Sequence, residues 1–403
     1  MVVTPGNPGM PGRTEQGHTI TTTGTPAEHL EADLYVIGPE APLVDGLADR
    51  LRAAGRTVFG PGSDGARLEG SKAYMKEVLS ASGVPTARYG AFDAPDQAIE
   101  FLGTLDGPWV VKTDGLASGK GVLVTDSLEA ARADVIAKTS GAAFGDAGRR
   151  VVIEEALIGL ECTVHVLCDG STLVPLVAAR DYKRVGDGDT GPNTGGMGVI
   201  SPVETVTEGL VSEIVDDCVE PVVATLKRRG IDYRGVLYAG LMLTTEGPKV
   251  LEYNVRFGDP ETQVVLERTP GDLAALLHAT ASGDISAYAS RSHAVGPERA
   301  DAAVCVVLAS DGYPGEPRTG DRIFGLEDAE SLPDVSVSYA GVAASPDGLV
   351  TAGGRVLGIT GRGKSLREAA ERAYAGCACV KWEGMHHRSD IGAPLRSPLE
   401  EGK

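Results

Sequence analysis

Short apolar runs bounded by glycine and proline alternate along this chain with stretches whose apolar residues recur at helical spacing. Residues 33–38 (DLYVIG) read as a short buried strand. Leu43, Leu47 and Leu51 then share one helical face up to Gly55, a C-cap residue, and 57–60 form a second strand. Strand, helix, strand in this order predicts a right-handed parallel unit. A helix is expected in the segment SKAYMKEVLSASG and another over 127–138. Strands are expected at 109–112, 121–125 and 151–154. Residues 161–169 and 173–179 predict an antiparallel pair, as do 236–243 and 249–255. Residues 208–229 read as helical. Further strands are expected at 302–308, 335–342 and 354–360, then a helix over 365–374 with Ser365 and Glu368 as a capping box. Three segments carry no period: the Pro/Gly-punctuated 1–12, the glycine-rich 180–198 and the polar 283–300, a linker by composition.

With 403 residues, 42% of them apolar, the chain is long enough for two or three domains. Its formal charge of −19 disfavours nonspecific binding to nucleic acid or anionic lipid. A small anionic substrate therefore needs a local basic pocket. The 6 cysteines are scattered, which implies a reducing cytosol and no disulfide framework. Cys377 and Cys379 follow a predicted helix and lack C-x-x-C spacing, so core filling is their expected use. No apolar run is long enough for a membrane span, and no signal peptide is visible.

The chemistry concentrates in a few stretches. In LEYNVRFGDPETQ (251–263), strand alternation turns Glu252, Asn254 and Arg256 to one side before the turn Phe257-Gly258-Asp259-Pro260. Oxygen donors of this kind suit Mg²⁺, which usually shares its shell with phosphates and water. In VVKTDGLASGKGV (110–122), Lys112 and Lys120 flank a loop in which Gly115, Gly119 and Gly121 permit close backbone approach to phosphate. The motif is not a P-loop, because three residues rather than four separate Gly115 from Gly119-Lys120, Gly121 follows in place of Ser or Thr, and a strand rather than a helix comes next. The strand end at Glu154 and Glu155 offers backbone groups to an adenine edge, and Glu161 offers a carboxylate to ribose hydroxyls. Finally, 181–198 places Asp181, Lys183, Arg184, Asp187, Asp189 and Asn193 on a loop with Gly195 and Gly196, able to close over an anionic centre.

The order of these parts resembles the ATP-grasp superfamily. SKAYMKEVL, VVKTDGLASGKGV, VIEEALIGLE, DYKRVGDGDTGPNTGGMG, GVLYAGLM and LEYNVRFGDPETQ are similar to the phosphoribosylamine–glycine ligase family, and so are GYPG at 312–315, GGRVLGITG at 353–361 and WEGMHHRSDIG at 382–392. The resemblance covers nearly the whole chain. It implies an α/β and α+β multidomain protein: an N-terminal doubly wound α/β domain (1–70), an ATP-grasp domain (71–282), a linker (283–300), a small β-rich C-terminal domain (301–395) and a tail (396–403). It also implies a cytoplasmic monomer or weak dimer that ligates glycine to 5-phosphoribosylamine with ATP and Mg²⁺ or Mn²⁺, by way of a glycyl phosphate. By resemblance, Lys72, Lys112 and Lys120, with Gly119 and Gly121, would touch ATP phosphates. Glu154, Glu155, Leu157 and Glu161 would hold adenine and ribose, and Glu252 and Asn254 the metal. Arg256, Asp259 and Lys183, with the loop around Asn193, Gly195 and Gly196, would orient the acyl phosphate and the amine.

The chain departs from the family pattern in three places. The strand YAGLML carries no acid where many ATP-grasp enzymes have a second metal carboxylate. Tyr182 stands where the family has His. A strand–turn–helix piece of roughly 30 residues is expected ahead of Thr4-Pro5-Gly6-Asn7, and a misassigned start is the favoured reason. Two other readings remain open at this level: a different purine-pathway ATP-grasp enzyme (a carboxylase or formyltransferase), or a nucleotide-binding remnant without turnover.

Overall fold

A computed structural model of the chain describes residues 1–14, 17–116, 121–141, 149–289 and 301–393. Two antiparallel sheets frame its centre. The larger has the order Leu173–Pro175, Leu160–Asp169, Arg234–Thr244, Gly247–Asn254. The smaller has the order Tyr89–Phe92, Val151–Glu155, Trp109–Thr113, Val122–Thr125.

Each sheet has its own apolar core. Ala98, Leu102, Val111, Val135, Val151 and Ile153 bury the inner face of the smaller one under helices Pro95–Leu102 and Leu128–Thr139. Val164, Val166, Leu237, Ala239, Leu241 and Val250 do the same for the larger, together with helices 63–82 and 208–228. The sheets meet where the 84–86 connector crosses: Val250 N–H donates to Pro85 O at 2.8 Å and Thr86 Oγ1 to Val250 O at 2.6 Å. The two sheets thus keep separate cores and meet along one narrow seam.

Side-chain caps fix three helix starts, of which the one at Ser365 was expected from pattern. Ser71 accepts the Tyr74 N–H, Ser127 the Ala130 N–H and Ser365 the Glu368 N–H. Glu368 reaches back to the Lys364 N–H, one residue further out than in the usual reciprocal box. The parallel unit forms as Tyr35–Val36 against Val58–Phe59. Its single expected helix is broken into Glu40–Val44 and Leu47–Ala53, because Gly46 sits at φ 80°. Residues 1–12 are not all loop: Val2–Val3 and Gly12–Arg13 flank Thr19–Thr22 in a small sheet. The linker region begins with a short helix, Ser286–Ala289, and residues 290–300 lie outside those described.

The largest departure concerns 180–198. Rather than an aperiodic loop, it holds the strand Arg180–Asp181 and a hairpin of Arg184–Gly186 and Thr190–Asn193. Arg180–Asp181 and Gly198–Ser201 then open a five-stranded sheet that continues through Ala302–Ala309, Arg355–Gly363 and Val335–Tyr339. Ala302–Ala309 is buried along its whole length between helices Glu261–Arg268 and Leu366–Cys379, which explains its unbroken apolar sequence. The last helix runs through Cys377 and Cys379 instead of ending before them, and Cys377 fills the core as expected. All six cysteines are free.

Candidate active site

The strand Gly247–Asn254 carries the centre of the site. Glu252 and Asn254 lie opposite Gly240 and Tyr238, while Tyr253 points into the core. Gly240 has a direct spatial role, since a Cβ there would stand 3.2 Å from Glu252 Cγ. The partner strand thus makes room for Glu252 instead of supplying a second acid. Burial works against the Glu252 carboxylate, but Lys183, Lys112, Lys72 and Arg256 together hold it below the ordinary range. These cations come from four different segments of the sequence.

Lys112 is nearly buried, its Nζ 3.3 Å from Leu251 O and 2.8 Å from Glu154 Oε1. Lys76 meets the other oxygen of Glu154 at 3.0 Å. The Glu154 side chain is an interior bridge, 2% exposed with a lysine on each oxygen. Burial opposes its charge, and the two ammonium groups hold it ionised. Glu155 accepts the Arg88 N–H at 2.9 Å. Leu157 stands in the connector that leads from this strand to Leu160–Asp169. Lys72 opens its helix and donates to Gly115 O at 3.1 Å; burial lowers its pKa, countered first by Glu252. Asp114 fastens this corner, accepting the Ala73 N–H at 3.1 Å and the Ser71 hydroxyl at 3.2 Å. Gly121 accepts the Thr113 N–H, and Gly119 and Lys120 lie outside the described residues.

On the other wall, Lys183 pairs with Glu161 at 2.7 Å. Burial disfavours the Lys183 charge, yet Asp181, Glu161 and Glu252 hold it well above the usual range. Asp181 is pushed up to about 7 by burial, against the pull of Lys183. Asp181 closes the strand Arg180–Asp181, and Lys183 lies two residues on, in the link before Arg184–Gly186.

Arg256 and Asp259 lie past the strand end, and each is already engaged. Arg256 reaches Glu69 at 2.9 Å and Glu40 at 3.3 Å, and Glu69 also accepts the Val255 N–H at 2.8 Å. Burial lifts the Glu69 carboxyl to about 7 despite Arg256. Asp259 pairs with Arg355 at 3.0 Å, and the same guanidinium donates to Asp259 O and Gly195 O. Gly195 N–H donates to the Tyr313 hydroxyl at 2.9 Å. Gly196 sits at φ 109°, with Pro260 Cδ 2.5 Å from where a Cβ would lie. Asn193 is the exposed end of the hairpin.

The turn between Arg256 and Asp259 rests on buried groups that pattern reading missed. Phe257 stacks on Phe59 with centroids 5.7 Å apart. His165 Nε2 accepts the Gly258 N–H at 3.0 Å, and burial pulls the His165 pKa down to about 3, so the ring is neutral with its proton on Nδ1. Tyr238 donates to Glu261 at 2.8 Å. Nothing in the local sequence around His165 marks this role; it arises from the pairing of Leu160–Asp169 with Arg234–Thr244.

Among the described residues no three or more His, Cys, Asp or Glu form a protein-only metal site. Glu252 and Asn254 are instead hard oxygen donors, one held ionised, beside cations suited to phosphate. That donor set fits a divalent cation shared with a nucleotide. No helix among the described residues is long and apolar enough to cross a membrane.

Two antiparallel sheets with separate cores, Lys112 on one and Glu252 on the other, make this an ATP-grasp protein. The biotin carboxylase domain of Hydrogenobacter thermophilus 2-oxoglutarate carboxylase, solved with MgADP, shares this fold at TM-score 0.69 and 16% identity, over 91% of this chain and 81% of that one. The chain belongs, more narrowly, to the phosphoribosylamine–glycine ligase family. Models of the N, ATP-grasp (A) and C domains of phosphoribosylglycinamide synthetase match residues 1–69, 70–262 and 303–394. The Streptomyces coelicolor phosphoribosylamine–glycine ligase is 48% identical over 91% of this chain and 85% of its own length. The Salmonella typhimurium enzyme is 45% identical over 91% and 84%. The crystal structure of the Thermotoga maritima enzyme superimposes with TM-score 0.78 at 35% identity, over 96% of this chain and 93% of that one.

Proposed function

We propose that this protein joins glycine to 5-phosphoribosylamine at the expense of ATP, giving glycinamide ribonucleotide, ADP and phosphate, the second step of de novo purine synthesis. The observation that carries the reading is the placement of Glu252 and Asn254 on one strand with Lys112 Nζ 3.3 Å from Leu251 O, the charges of Lys72, Lys112, Lys183 and Arg256 keeping Glu252 ionised. Family membership supports the same reaction.

A glycine carboxylate is a poor acyl donor, so its oxygen first attacks the γ-phosphorus of ATP and ADP leaves. The ribosylamine nitrogen then attacks the glycyl carbon, expelling phosphate and losing a proton. Both steps gather negative charge, so positioned cations are the main means of lowering the barrier. Lys72 and Lys112 contact the ATP phosphates in this reading, with Lys120, Gly119 and Gly121 completing the loop over them. Glu252 and Asn254 would hold Mg²⁺ or Mn²⁺, which would supply charge neutralisation at the phosphates. Glu155, Leu157 and Glu161 line the adenosine end. Glu154 acts through Lys112, whose ammonium it fixes. Lys183, Asn193, Gly195 and Gly196 face the acyl phosphate, and Arg256 and Asp259 set the turn beside it.

The test is ADP release from the purified protein with each substrate omitted in turn, in Mg²⁺ and separately in Mn²⁺. The reading expects release only when glycine, phosphoribosylamine and metal are all present. Release indifferent to glycine would sink it.

A further inference from the structure

The hairpin of Arg184–Gly186 and Thr190–Asn193 is fastened almost entirely by one distant segment, 386–391, some 200 residues later in the sequence. At its centre is Arg388, 1% exposed. Arg388 Nε donates to Asp390 Oδ1 at 2.7 Å and Nη2 to Asp390 Oδ2 at 2.6 Å, a bidentate fork. Its Nη1 donates to Arg184 O at 3.1 Å and to Asp189 Oδ1 at 2.7 Å. The guanidinium also lies 4.9 Å from the Tyr182 ring centroid. Around it, Gly188 N–H donates to Asp390 at 2.8 Å, Ser389 N–H to Asp187 at 2.8 Å, and His386 Nε2 contacts Val185 O at 2.9 Å. The hairpin's other end runs straight into Thr194, Gly195 and Gly196, pinned by Tyr313 and Arg355.

We infer that Arg388 is a positioning residue: through Asp189, Asp390 and Arg184 O it fixes the hairpin, and so sets where Asn193, Gly195 and Gly196 stand relative to Glu252 and Asn254. The acidic hairpin (Asp187, Asp189) does not stay in place without such a clamp. It pairs with its own strands over few residues and exposes Thr190–Asn193 throughout. Arginine is required over lysine, because a single ammonium cannot serve a bidentate carboxylate, a second carboxylate and a carbonyl in one plane. Tyr182, in place of the family's His, belongs to this assembly: it packs between Arg180 and Arg388, and its hydroxyl accepts the Gly392 N–H at 3.4 Å. The consequence for turnover rests on the ligase reading above; the anchorage of the hairpin does not.

The experiment compares the full-length protein with Arg388→Lys, Arg388→Ala and Asp189→Asn by hydrogen exchange and by steady-state kinetics. Asp189→Asn guards against misfolding, because Asp189 is half exposed and sits at φ 55°, where Asn is well tolerated. Amides of 184–193 should exchange at least about tenfold faster in each variant, with exchange in the Trp109–Thr113 strand unchanged. Turnover should fall by about tenfold or more in Arg388→Lys, with the KM for glycine raised and that for ATP within about twofold. Unchanged hairpin exchange overturns the inference, and so does faster exchange with unaltered glycine kinetics. If wild-type protein shows no glycine-dependent ADP release, the ligase reading fails instead, and the exchange data alone decide the clamp.

Discussion

Glu252 shows how a single side chain acquires a function from its surroundings. A carboxylate at the end of an apolar strand is commonplace; one ringed by Lys72, Lys112, Lys183 and Arg256 stays ionised in spite of burial. Glu252→Gln keeps the shape and removes the charge, so metal-dependent ADP release should fall at least about tenfold. Full activity with an unshifted metal titration would remove Glu252 from the metal site. Glu69 titrates the opposite way. Its folded pKa, about 7, lies above the ordinary 4.5, so the folded state prefers the protonated form. Its contribution is present below pH 4.5 and is lost as pH rises through 7. Relative to wild type, Glu69→Gln should therefore gain stability as pH rises from about 5 to about 8. Urea midpoints of both proteins across that range check this, and parallel curves would exclude it.

Among the elements, the seam between the two sheets is the most consequential. Glu154 is the penultimate residue of one strand, Lys112 sits on its neighbour, and Lys76 belongs to a helix of the other core. Removing the carboxylate leaves two ammonium groups uncompensated in the interior. Glu154→Ala should cost about 3–5 kcal/mol in a denaturant titration. A loss below about 1 kcal/mol would mean that water reaches the lysines. The glycine turn after the hairpin is constrained by space as much as by conformation. Gly196→Ala forces Cβ against Pro260 in a left-handed backbone. Its effect should appear as a fall in turnover of about tenfold, with ATP binding retained, because the groups it crowds are Pro260 and Arg355 and not Lys72 or Lys112. Isothermal titration with ATP alongside kinetics separates the two.

At the level of the whole molecule, three regions converge on one short strand end. The N-terminal portion arrives through Glu40 and Glu69 on Arg256, and the C-terminal sheet through Arg355 and Tyr313 on Asp259 and Gly195. Arg256→Met should free the N-terminal portion from this joint. We expect the KM for phosphoribosylamine to rise about tenfold while the KM for ATP moves less than about twofold, since Lys72 and Lys112 are held independently. Equal changes in both would place Arg256 on the nucleotide instead. Much of this was legible beforehand: the cap at Ser365 and the strands bearing Lys112 and Glu252 follow local rules. The hairpin in 180–198 was not, because its apolar positions are few and its stability comes from Arg388.

The sequence by itself determined the period of most elements and the family. Side-chain alternation and capping are local, so they can be read from neighbours in the chain. Only the tertiary structure decided which carboxylates are free to act. Glu154 is bound between two lysines, Asp259 and Glu69 each hold an arginine, and Glu252 is kept charged by four cations. Charge and exposure depend on groups brought together across the fold, and linear order does not encode those distances.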